Sequence, residues 1–185
     1  MTIVTRRGFA VLAFAAVGVR AQPADDVLAA QLRSGRCAVL WRHAQTTPGV
    51  GDPPGFRLGV CSSQRNLSEE GRTQARAAGE WFRRRGLKPS EVRTSAWCRC
   101  RDTADLAFGS HTHWSPLDST FGGAADSDAR RQAMLDALAR IPMGAFEVWV
   151  THQVNIGAFT GESVAMGEAL IVGPGVRVLG RSGFG

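Results

Sequence analysis

The 185-residue sequence has a single lysine, Lys88, no CxxC pair, no internal repeat and no apolar run long enough to cross a bilayer. With one lysine, positive charge rests on 21 arginines, and their one dense run is Arg83-Arg84-Arg85. That run falls at the predicted end of a helix, where cations favour the macrodipole. It reads as a solvated helix end, and no nucleic-acid partner is expected. The missing CxxC speaks against a structural zinc site. His111 and His113 resemble a metal pair but sit in a Ser-Thr-rich loop with no third ligand, so they read as surface residues. The apolar stretch from Gly8 to Val19 has twelve residues, against the about 20 that span a bilayer. A disordered chain is excluded by composition: 44% hydrophobic and 21% charged residues fit one packed globular domain.

The N-terminus has no acid before residue 22. Arg6 and Arg7, the short apolar run and then Arg20-Ala21-Gln22 read as an export signal, residues 1–21, with cleavage after Ala21. Thr5-Arg6-Arg7-Gly8-Phe9 resembles a twin-arginine signal, although paired arginines also occur in general secretory signals, so both routes stay open. The mature domain is then 22–185, expected in the periplasm or outside the cell, with no stable membrane insertion. Loss of Arg6, Arg7 and Arg20 leaves 19 basic against 16 acidic residues, a net of +3 that implies little about partners. All four cysteines survive cleavage, and in an oxidising compartment they can form two disulfides in three connectivities. Cys98 and Cys100 are too close to pair within one helical turn. Cys61 with Cys98 or Cys100 is the expected bridge, and most cysteines are expected to be paired.

Residues 22–36 have Val27, Leu28 and Leu32 at helical spacing. Cys37-Ala38-Val39-Leu40-Trp41 is a continuous apolar run and predicts a buried strand. The Pro- and Gly-rich stretch 46–59 predicts a long loop, a length usually tied to function or disorder. Ser68 caps a predicted helix that opens with Glu69-Glu70 and stops at Gly86. A strand at 91–95, helices at 99–108 and 128–140, a buried strand at 147–151 and a closing pair around Pro174-Gly175 complete the pattern. Strands alternating with helices predict an α/β layered domain.

Two of the predicted strands end in histidine, at Arg42-His43 and at Thr151-His152. Sites in open α/β sheets form beyond the C-terminal strand ends, so both imidazoles are expected to face one crevice. The strand at 91–95 leads Arg99 to the same edge. An arginine fork suits phosphate, and a neutral imidazole beside arginines can attack phosphorus.

At these residues the sequence resembles the histidine phosphatase superfamily, which includes the phosphoglycerate-mutase-like enzymes. The matching elements are Arg42-His43-Ala44, then Leu67-Ser68-Glu69-Glu70-Gly71-Arg72-Thr73-Gln74-Ala75, then Ser95 through Arg99 to Thr103-Ala104, and finally Val148-Trp149-Val150-Thr151-His152. The resemblance implies a three-layer α/β/α sandwich with a mostly parallel central sheet. It makes His43 the phosphorylated nucleophile, with Arg42, Arg99 and His152 completing the phosphate pocket. It implies no metal or organic cofactor, and a small phosphorylated substrate. Three features depart from the pattern. Ala44 replaces a glycine, no segment is long enough for a substrate cap, and the general acid has no clear match. Asp118 and Asp52 are the carboxylates to test for that role. Gln45 either touches the phosphate or is exposed, Asn155 reads as a local cap, and Trp97 as a wall of the substrate entrance.

The sequence thus predicts an exported phosphomonoesterase acting through a phosphohistidine, on an envelope or periplasmic phosphorylated sugar or another small phosphate ester. The alternative is a non-catalytic phosphate- or phosphoglycan-binding module on the same fold. A mutase or a thiol-redox or metal protein fits less well, and the sequence says nothing of oligomeric state.

Overall fold

The computed structural model describes residues 23–121, 123 and 127–184; the export-signal reading, residues 1–21, lies outside them. Six strands form one sheet in the order β3-β2-β4-β1-β5-β6. They are β1 (Cys37–Arg42), β2 (Glu91–Thr94), β3 (Thr112–His113), β4 (Phe146–Thr151), β5 (Ala169–Gly173) and β6 (Arg177–Ser182). The first four run parallel, with β4 between β1 and β2. β5 and β6 add an antiparallel hairpin on the far side of β1. The hairpin turns at Pro174-Gly175, where Gly175 takes a left-handed φ of 67°.

The apolar runs of β1 and β4 are continuous because both faces of the sheet are covered. Cys37, Val39, Trp41, Val148 and Val150 pack on one face against α1 (Pro23–Ser34), α2 (Glu69–Arg84) and α3 (Cys98–Phe108). Ala38, Leu40 and Trp149 pack on the other against α4 (Ser127–Arg140) and α5 (Gln153–Thr160). The result is the expected three-layer α/β/α sandwich. Phe82 centres an aromatic cluster, with the rings of Trp81, Phe108, Phe146 and Phe184 at 4.8 to 6.0 Å.

Ser68 caps α2 as expected, its hydroxyl accepting from the Gly71 N–H at 3.2 Å. At the tail of α2, Arg83 and Arg84 are exposed and pair with Glu80, as a solvated helix end predicts, whereas Arg85 is largely buried, paired with Asp25 and lying over the Trp81 ring. The structure adds two elements that the sequence did not announce, the two-residue edge strand β3 and the helix α5.

The cysteine expectation is corrected in part. Cys61 pairs with Cys98, while Cys37 and Cys100 remain buried thiols, so one bridge forms and not two. Burial pushes the Cys37 thiol up to about 11 and the Cys100 thiol up to about 12, which keeps both protonated and poorly nucleophilic.

Gly79 lies where α2 meets α3, and a Cβ there would overlap the Ala107 backbone. Gly79→Ala is expected to cost about 1–3 kcal/mol through overpacking. A urea midpoint lowered at unchanged m-value is the expected readout; a midpoint equal to the parent's would contradict this helix contact.

Candidate active site

β1 and β4 are parallel neighbours with Arg42 opposite Thr151, so the residues following each strand emerge side by side. The His43 N–H donates to the Thr151 carbonyl at 3.0 Å, carrying the ladder one step beyond the strands. The rings of His43 and His152 therefore lie 5.5 Å apart, each almost fully buried. Ser95, after β2, adds its hydroxyl 2.8 Å from His152 Nε2.

The loop after His43 is held by backbone contacts from the helices. The Ala44 N–H donates to Thr103 Oγ1 on α3, and the Gln45 N–H donates to Gln74 Oε1 on α2. Gln74 Nε2 in turn reaches the Met166 carbonyl. Gly71 is required because a Cβ would overlap the Gln45 carbonyl. The pattern at residues 67–75 thus supports the loop after His43 through that loop's main-chain groups. Ala44 is fully buried and is not among the residues of positive φ, so alanine fits where the family has glycine. The Gln45 side chain is exposed, and only its backbone takes part.

His43 Nδ1 lies 2.9 Å from the Ala44 carbonyl, which can only accept, so Nδ1 carries the proton and Nε2 keeps a free lone pair. Burial pushes the imidazole down to about 3, with Arg99, Arg42 and Arg65 adding in the same direction against that hydrogen bond. His152 is also held well below the ordinary imidazole value, by burial first and then by His43 and the arginines. Both rings are neutral at ordinary pH.

Arg42, His43, Asp52, Arg65, Arg99 and His152 line one cavity of about 540 Å³. A larger groove of about 910 Å³ runs along the C-terminal ends of α2 and α3, remote from both strand-end histidines. Burial and the neighbouring Arg65 lower Arg42, while burial and Arg99 lower Arg65. Three guanidinium groups against one carboxylate leave two uncompensated positive charges, the complement of a phosphate monoester dianion. The Nε atoms of Arg42, Arg65 and Arg99 are buried without a partner. Arg65 was missed by sequence reasoning, since a lone arginine in a loop carries no periodicity or spacing signal.

The two candidate acids are both engaged in hydrogen bonds, Asp52 in the cavity lining and Asp118 outside it. Asp52 accepts from Arg99 at 2.7 Å, from the Arg65 N–H at 2.9 Å and from Trp97 Nε1 at 2.9 Å. Burial pushes its carboxyl up, but these bonds together hold it below its ordinary value. It is therefore a charged anchor that orients Arg99. Asp118 does not line the cavity; it accepts from the Ala96 N–H at 2.7 Å and from His113. Asn155, expected as a local cap, is buried and donates to the Asp118 carbonyl at 2.8 Å. His111 pairs with Asp105, separately from His113. Trp97 does line the cavity. The Cys61–Cys98 bridge fastens the segment beside Arg65 to the residue before Arg99.

Reducing that bridge, which closes a separation of 37 residues, is expected to cost about 4 kcal/mol by chain entropy. Unfolding in the presence and absence of a thiol reductant measures it, and equal midpoints would remove the bridge from the account. Acid should also destabilise the fold through the site. An unfolded imidazole takes up a proton near 6.5, whereas His43 resists to about 3, so stability falls as pH drops between those values. Asp52, held low, contributes above the ordinary carboxyl pKa of about 4 and loses that contribution as pH falls through its lower folded value. Urea titrations across this range should give a shallower acid decline for His43→Ala above about pH 4 and for Asp52→Asn below it. Parallel curves for all three proteins would refute the assignment.

The histidine phosphatase superfamily (branch 1) model matches residues 38–120. No curated protein matches the sequence. Among solved structures, an Agrobacterium tumefaciens protein provisionally named phosphohistidine phosphatase SixA is 16% identical, with 79% of this chain and 97% of that one covered at a TM-score of 0.55. The product of open reading frame Rv3214 of Mycobacterium tuberculosis is 19% identical over 79% and 95%, at 0.57. The protein TTHB049 of Thermus thermophilus is 22% identical over 78% and 98%, at 0.54. These likenesses fix the fold, and the family match adds the pattern of residues around His43 and Arg99. Residues 38–120 thus carry the likeness to the histidine phosphatase superfamily, branch 1, and His43, α2 and Arg99 on α3 all fall within it.

Proposed function

We propose that this phosphatase hydrolyses a small phosphate monoester through a phosphohistidine on His43. The carrying observation is the neutral His43 ring, proton on Nδ1 and lone pair on Nε2, in a cavity with three arginines. Nε2 attacks phosphorus as the ester P–O bond breaks, and the leaving oxygen takes the bonding pair. Arg42, Arg65 and Arg99 stabilise the equatorial oxygens, where charge spreads in the transition state. His152, neutral and bonded to Ser95, contributes a polar contact without competing for the negative charge. Water then attacks phosphorus, the P–N bond breaks, and inorganic phosphate leaves. Asp52 keeps the Arg99 fork aimed and takes no proton.

The site of action in this reading is the periplasm or the cell exterior, on the strength of residues 1–21; the Cys61–Cys98 crosslink is compatible with it. No helix among the described residues is long and apolar enough to cross a membrane. Phosphorylated envelope sugars and other small esters are the substrates that such a compartment offers. One observation favours the second reading, a phosphate- or phosphoglycan-binding module: among the described residues, Asp52 is the only carboxylate lining the cavity, and it is engaged.

Hydrolysis of 4-nitrophenyl phosphate by the protein and by His43→Ala and Arg99→Ala decides between them. The phosphatase reading expects turnover that vanishes without His43 and a kcat/KM lowered about 10²–10³-fold without Arg99. An alkaline denaturing quench of the parent during turnover should trap phosphate on His43. A parent that binds phosphate with no turnover establishes the binding module instead.

A further inference from the structure

Seven large apolar side chains are exposed among the described residues, and three of them, Val50, Phe56 and Phe121, line the mouth of the phosphate cavity. Soluble proteins scatter such residues, and a cluster at a cavity mouth marks a binding surface. Phe56 leans on Trp97, ring centroids 6.1 Å apart, and Trp97 packs edge-on against His152 at 5.3 Å. The Phe121 ring lies close to Gly51, where a Cβ would sit 3.4 Å from it. The apolar rim is thus continuous, through Trp97, with the ring beside the nucleophile.

The neutral polar side chains of the rim are partly engaged. Of the neutral polar side chains lining the cavity outside the two histidines, Gln153 donates to the Glu162 carbonyl and accepts from the Val164 N–H. Ser119 accepts from the Phe121 N–H at 3.3 Å. The indole N–H of Trp97 is held by Asp52. Outside the arginines that take the phosphate, the several hydroxyls of a sugar would meet few free side-chain partners here, and an unpaired polar group is costly to bury. A flat apolar ring loses nothing in the same place and gains stacking.

We propose that Val50, Phe56, Trp97 and Phe121 form a leaving-group subsite for the ring of an aryl phosphate. The proposal rests on the phosphate-pocket reading above and narrows its substrate class from small esters to phenolic ones. In the balanced step, His43 Nε2 forms the P–N bond and the phenolate departs with the P–O pair. A phenolate needs less protonation than an alkoxide, which accords with Asp52, the one lining carboxylate among the described residues, being committed to Arg99. Water then cleaves P–N; its proton goes to the phenolate through solvent, giving a phenol and inorganic phosphate.

The test removes chemistry from the comparison by using phosphonates, which cannot be hydrolysed. Calorimetry should find phenylphosphonate bound about tenfold more tightly than methylphosphonate. In Phe121→Ser, whose ring is 65% exposed in the parent and so contributes little to folding, that ratio should narrow towards one. The same narrowing is expected in Phe56→Leu. Equal affinities in the parent, with inorganic phosphate still bound, overturn the subsite and leave the phosphate pocket standing. A hexose phosphonate, the non-hydrolysable counterpart of a sugar phosphate, that binds more tightly than phenylphosphonate overturns it too. Failure to bind inorganic phosphate removes the pocket itself, and the subsite with it.

Discussion

The site depends on the parallel pairing of β1 with β4. Their register places Arg42 opposite Thr151, and one further backbone bond, from the His43 N–H to the Thr151 carbonyl, sets the two histidines side by side. Because the side-chain period of a strand is two, a slip of one residue would send the core residues of β1 to the opposite face. The two apolar clusters prevent this, since Trp41 and Leu40 each fill a separate layer. Core packing and the juxtaposition of the two histidines are therefore one constraint, enforced by the sheet.

Around that pair the protein concentrates positive charge and then removes water. Burial holds His43 neutral, and the arginines reinforce the effect. Asp52 tempers the like-charge crowding at Arg99 with a 2.7 Å bond, both side chains almost fully buried. Such a pair is a weak source of stability in itself, because desolvation offsets much of the attraction. Its value is geometric: it fixes one guanidinium nitrogen and leaves the rest of the fork for a ligand.

Local signals made much of the fold legible. The Ser68 cap with Glu69-Glu70, the apolar runs of β1 and β4 and the turn at Pro174-Gly175 are each decided within a few residues. The strand-end histidines and Arg99 followed from order along the chain. What escaped was decided at long range. Asp52 looked like a free carboxylate because its partner lies 47 residues away. Arg65 sits in a loop without periodicity. β3 is two residues long and exists through its pairing with Arg93 and Thr94. α5 follows His152 with no side-chain cap and includes Gly157, so tertiary packing of Ile156 and Phe159 sustains it.

The Cys61–Cys98 bridge makes one part of the molecule sensitive to redox conditions. The sheet and its helices close by burying apolar surface, which needs nothing but water. The segment that brings Asp52 and Arg65 to Arg99 gains its tether only where an oxidant is present. Oxidation adds to the hydrogen bonds that already seat Asp52 and Arg65 beside Arg99, so the stiffness of the anion cradle, unlike the packing of the sheet, answers to the redox state of the surroundings.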